Sequence, residues 1–216
     1  MAGVPRWALL INPAILLVAM AFIGSWAAPR CGLRSLVADR LAGVGGRASG
    51  RDLLATLAIG GLLGVFGSLL DQMTAPLWQG SSTIPALGSA WSPAALISGV
   101  LYGGVVEEIM MRWGVMSLAV WAIWRLAARS SPLPPRWALV IGAIASAVLF
   151  AAGHLPAAAL ASDLTLPLVL RILGLNAVVG LVFAFLFASR NLESAIGAHM
   201  GFHVGVAAAA LFVSIL

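Results

Sequence analysis

Charge is what this sequence has least of. Only 9% of its 216 residues are charged, and none of the 12 basic residues is a lysine. A soluble domain carries roughly 25% charged residues, so a water-facing globular surface is excluded. Seven acids offset twelve arginines, and the formal net charge of +5 reflects scarce acids rather than a basic face. Nucleic acid is therefore not expected as a partner. Cysteine is nearly absent as well: Cys31 stands alone, which excludes an intrachain disulfide and any cysteine-based metal spacing. It reads as a small buried or interfacial residue.

What is present is apolar. Hydrophobic residues make up 62% of the chain and the mean hydropathy is +1.05. A hydrocarbon core of about 30 Å takes around 20 apolar residues per helix, so this length accommodates six or seven spans with little left for a soluble domain. The expected fold is all-α: a polytopic membrane helix bundle of about six helices (six to eight), forming a single domain over 1–216 around an intramembrane cavity. The lipid bilayer is the first partner. Arginine-only, alanine-rich usage points to a bacterial inner (cytoplasmic) membrane.

Spans are expected at 7–28, as a retained first helix rather than a cleaved signal, and at 53–70. The region 30–52, with Arg30, Arg34, Arg40, Arg47 and Arg51 among glycines, reads as a flexible basic loop and is cytoplasmic by the positive-inside rule. Residues 71–91 read as an extracytoplasmic loop. Ser92 is a suitable N-cap, with Pro93 at the first helical position. The helix that follows continues to about Ala128, roughly 55 Å at 1.5 Å per residue, and so must tilt, project or break near Gly114. Further spans are expected at 137–153, with a kink at Pro156, at 167–189 and at 192–216. Both termini then lie outside. Trp7, Trp26, Trp113, Trp121, Trp124 and Trp137 read as interface anchors and bulk, and Arg171 and Asn176 as packing or snorkelling groups.

Within this apolar background, ionisable residues at membrane depth are costly and are read as functional. Val106 to Arg112 places two carboxylates and a guanidinium in one run. Glu108 and Arg112 are four apart, one helical turn, in the favourable order for an ion pair. Glu107 points about 100° away and is free to serve as the working carboxylate. His199 and His203 are also four apart and share a face of the last helix, with Gly197, Gly201 and Gly205 roughly opposite to press against a neighbour. His154 comes from another helix, with Phe150 one turn before it. Three imidazoles and a carboxylate can bind a divalent metal or activate water without one. Counted from the arginine-bearing loops, His199 lies about 10 Å deep but Glu107 and His154 nearer 27 Å, a mismatch that only tilted, broken or projecting helices resolve.

Three motifs, Glu107-Glu108-Ile109-Met110-Met111-Arg112, Phe150-Ala151-Ala152-Gly153-His154 and His199-Met200-Gly201-Phe202-His203, occur in that order. Together they resemble the EExxxR, FxxxH and HxxxN-like motifs of the CPBP family of intramembrane proteases, also called the CAAX-protease or Abi family, which includes the type II CAAX prenyl endopeptidases. The resemblance covers roughly 92–216. It implies a membrane endopeptidase in which Glu107 and His154 activate water while His199 and His203 assist. Glu108, Arg112 and Phe150 would support the site. Family members are named metalloproteases, so a zinc or other divalent ion on Glu107, His154, His199 and His203 is one expectation and metal-free water activation the other. His203 departs from the family's usual asparagine. The substrate would be a peptide or membrane protein, prenylated or otherwise lipid-associated. The other class is a non-proteolytic membrane protein: an ion- or proton-coupled carrier, a scaffold or an immunity protein.

Overall fold

A computed structural model describes residues 11–44, 49–80, 82–89 and 92–213. The helices are α1 (Ile11–Arg30), α2 (Leu36–Leu41), α3 (Gly50–Trp78), α4 (Pro93–Ala127), α5 (Arg136–Gly153), α6 (Leu155–Ala161), α7 (Leu166–Ser189) and α8 (Leu192–Val213). Among the described residues, six segments are long and apolar enough to cross a membrane: α1, α3, α4, α5 with α6, α7 and α8. The expected all-α bundle is observed. The expected beginning of the first span at Trp7 and end of the last at Leu216 lie outside the described residues.

Local chemistry explains several boundaries. Ser92 Oγ accepts from Ala95 N (3.1 Å) ahead of Pro93, as the sequence predicts for the start of α4. The basic connection after α1 is not simply a loop. Ser35 caps α2, and Glu193 at the start of α8 accepts from Ser35 Oγ (2.6 Å), Leu36 N (2.8 Å) and Val37 N (3.0 Å). A carboxylate placed on open helix N–H groups ties this short helix to the bundle. Pro156, which has no N–H to donate, marks the break between α5 and α6, and His154 occupies that corner.

The bounds of the second span are corrected, one alternative for α4 is removed, and Trp113 is assigned to the core. The second span does not end at Leu70: α3 continues through Asp71 and Pro76 to Trp78. Polar Asp71 and Gln72 look like a loop start, but each finds a tertiary partner, Arg171 for Asp71 (Oδ1 2.8 Å from Nε) and the Leu87 carbonyl for Gln72 (3.0 Å). Similarly, α4 does not break at Gly114. It widens instead, with π-helical turns over Gly99–Glu107 and Ile109–Met116. Such turns are rare and cluster at functional sites. Trp113 is not an interface anchor; it is buried against Gly24 of α1, its indole donating to Ser25 Oγ (3.3 Å).

The site-bearing α8 lies between α3 and the first widened stretch of α4, with α7 beside it. Its glycine face meets α3 backbone to backbone. A Cβ on Gly201 would strike the Leu57 carbonyl and one on Gly205 the Gly61 carbonyl; from the other side, Gly60 and Gly64 meet Ala198 and Phe202. The expected glycine contact is therefore present, and its partner is α3. The depth mismatch is reduced because Phe150 faces Gly180, fourteen residues from the start of α5 but only nine from the end of α7. The α4–α5 hairpin thus projects about 7–8 Å past the α7–α8 turn.

Gly205→Val should destabilise the protein by about 1–3 kcal/mol through overpacking. Gly174→Ala, whose Cβ would meet nothing within 4 Å, should stay within about 0.5 kcal/mol of the parent. Unfolding followed in detergent micelles measures both.

Candidate active site

The motif carboxylates divide as the helix phase predicts. Glu108 and Arg112 are both fully buried, with Oε2 3.3 Å from Nε, a charge contact along one face of α4. The other Glu108 oxygen accepts from His199 Nδ1 at 2.9 Å. Arg112 donates through Nη1 to Ser146 Oγ on α5 (3.2 Å), and Ser146 donates to the Met111 carbonyl (2.8 Å). The Phe150 ring lies 5.0 Å beneath the guanidinium carbon. One buried carboxylate therefore ties α4 to both α5 and α8.

His199 is held on every side. Phe183 stacks on one face at 4.5 Å and His203 on the other at 5.1 Å, while Nε2 points toward Glu107 Oε2 at 3.9 Å. The bond from Nδ1 to a carboxylate fixes the ring plane and leaves Nε2 facing the second carboxylate.

Glu107 turns away from the pair and lines a cavity of about 590 Å³ together with His154, His199 and His203. His154 donates from Nδ1 to the Phe150 carbonyl at 2.8 Å, because a carbonyl can only accept. That bond selects the tautomer whose Nε2 carries a free lone pair. Phe150 also meets the imidazole edge-on at 4.8 Å, so it orients His154 through both backbone and ring. His203 reaches α4 where there are no side chains: a Cβ on Gly99 or Gly103 would overlap its ring. Its Nε2 is buried without a protein hydrogen bond.

These donors do not fit a resident divalent metal as they are placed. Among the described residues no three His, Cys, Asp or Glu side chains converge as a metal-binding group.

The family described as type II CAAX prenyl endopeptidase Rce1-like matches residues 89–205, more than half of the chain. The chain belongs to that family. The matched stretch contains all three motifs and every side chain of the carboxylate–histidine cluster. No curated protein and no solved structure matches the chain.

Several contributors escape the motif reading. Ser146 and Phe183 hold the cluster, and Tyr102 and Asn176 line the cavity. Arg171 also lines it, paired with Asp71, which is fully buried. Half of the signal for that pair was available: Arg171, the one ionisable residue of its apolar span, requires a counter-charge.

Breaking the buried pair with Arg112→Met should cost about 3–5 kcal/mol by stranding Glu108. Glu108→Gln with Arg112→Met should cost less than the sum of the single changes. A double-mutant cycle of unfolding in detergent checks the sign of that coupling.

Proposed function

We propose that the protein is an intramembrane endopeptidase in which Glu107 and His154 activate water for attack on a peptide bond. One observation carries this reading. Glu107, His154, His199 and His203, drawn from three separate helices, line one void, whereas the neighbouring Glu108 is withdrawn into a compensated pair. A scaffold that kept polar groups only for assembly would cap each of them against a neighbouring helix, as it does Glu108 and Arg112.

The chemistry follows from the geometry. Water bound between the His154 Nε2 lone pair and the Glu107 carboxylate is oriented by the first and deprotonated by the second as it attacks the peptide carbonyl. The carbonyl oxygen becomes an oxyanion. His203, with its buried and unbonded Nε2, lines the cavity from α8 and supplies an N–H donor to that oxygen, while His199, whose Nδ1–H is spent on Glu108, assists by stacking on the His203 ring. Collapse of the tetrahedral intermediate breaks the C–N bond, and Glu107 returns its proton to the leaving amine. The Glu108 bond keeps His199 upright throughout. Imidazole at 203 replaces the family's usual amide as a neutral donor.

Glu107→Gln should lower kcat by about 10²–10⁴-fold while leaving the unfolding midpoint unchanged, because Glu107 is not part of the buried pair. His154→Ala should fall in the same range. The readout is cleavage of a fluorogenic CAAX-type peptide by purified protein in proteoliposomes. Parental rates from either variant would overturn the assigned roles.

A further inference from the structure

The cavity has a second polar end that the water-activating cluster does not use. Arg171, a turn and a half into α7, lines it with its side chain 11% exposed. Its guanidinium is held on two sides: Nε and Nη2 donate to the two Asp71 oxygens (2.8 and 2.5 Å), and Cζ lies 4.3 Å over the Trp78 ring. Asp71 is fully buried and also accepts from Leu87 N at 2.7 Å. An arginine carries five N–H donors in a planar fork, and this grip leaves the Nη1 edge without a hydrogen bond among the described residues. Nearby, Asn176, which also lines the cavity, donates its amide N–H to the Ile172 carbonyl (2.8 Å).

We infer that Arg171 is a specificity-determining residue that receives the C-terminal carboxylate of the peptide, so that cleavage occurs a fixed short distance from the chain end. The inference rests on the peptidase reading given above. Three features support it. First, a planar guanidinium prefixed by a bidentate carboxylate and an aromatic face is preorganised to accept a second carboxylate on its open edge. Second, the two ends of the cavity differ: Glu107 stands at one and repels an anionic chain end, while at the other Arg171, the only arginine among the described lining residues, offers it N–H donors. Third, Arg171 is within reach of the water-activating pair. Gly180 of α7 faces Phe150, and His154 lies one turn further along the antiparallel α5, level with about residue 176, so Arg171 is about 7–8 Å beyond it along α7, the span of about two extended residues.

The test compares two otherwise identical fluorogenic peptides, one ending in a free carboxylate and the other in an amide. The parent protein should cleave the carboxylate form with kcat/KM about 10- to 100-fold higher, carried by KM, as expected for loss of a charge-assisted hydrogen bond. Removing Arg171 alone strands buried Asp71, so the informative variant is the neutral pair Asp71→Asn with Arg171→Gln. Its carboxylate-to-amide ratio should fall to about 1, a ratio that does not depend on how much protein is folded. Arg171→Lys, which keeps the charge but loses the fork, should give an intermediate ratio. Equal cleavage of both peptides by the parent, or an undiminished ratio in the neutral pair, overturns the inference. If neither peptide is cut, the peptidase reading fails and binding decides the carboxylate site separately. Fluorescence anisotropy of the two labelled peptides on the Glu107→Gln protein should then favour the carboxylate form, and equal affinities would overturn it.

Discussion

Glu108 has no exposed surface; one of its oxygens lies against Arg112 on its own helix and the other accepts from His199 on the last. A carboxylate so placed is tolerated only while both contacts hold, because desolvating an unpaired ion costs several kcal/mol. This demand fixes much else. It sets how α4 and α8 face each other, and it determines which His199 nitrogen looks into the cavity. It also requires Ser146 on α5 to take up part of the Arg112 guanidinium. The neighbouring Glu107 owes its freedom to the same arrangement: Arg112, the cation of α4 nearest to it, is committed to Glu108.

Room for this cluster comes from backbones rather than from large voids between helices. Glycines let α3 and α8 touch through their main chains, which draws the histidine face of α8 inward. On the opposite wall, α4 adopts wider turns where Gly99 and Gly103 leave space for the His203 ring. Phe183 and His203 then clamp His199 between parallel rings, so a side chain needed for chemistry gains the order of a core residue. Phe150 serves twice, beneath the Arg112 guanidinium and as the carbonyl that sets the His154 tautomer.

Much of this was legible in the sequence where a local rule acts within one helix. The four-residue step from Glu108 to Arg112, the glycines opposite the histidines and the Ser92–Pro93 start of α4 all follow from helical periodicity and capping. What was not legible depends on partners far along the chain. The sequence reading ended α3 at Leu70 because Asp71 looks like a loop residue until Arg171 is placed beside it. Trp113 was misplaced for a similar reason, since indole suits an interface and only α1 packing shows it to be core. The widened turns of α4 have no periodic signature, as apolar residues surround that helix on all sides.

The Asp71–Arg171 pair has a bearing on how the protein is made. Glu108 enters the bilayer with its counter-ion one turn away on the same helix, so that pair is complete as soon as α4 forms. Asp71 has to wait for an arginine 100 residues later in the chain. At about 5–20 residues per second, a ribosome takes some 5–20 s to supply it. During that interval the C-terminal end of α3 holds a carboxylate without its counter-charge. The Asp71 contact at the final turns of α3, and with it the segment pinned through Leu87, is completed only once α7 has been made.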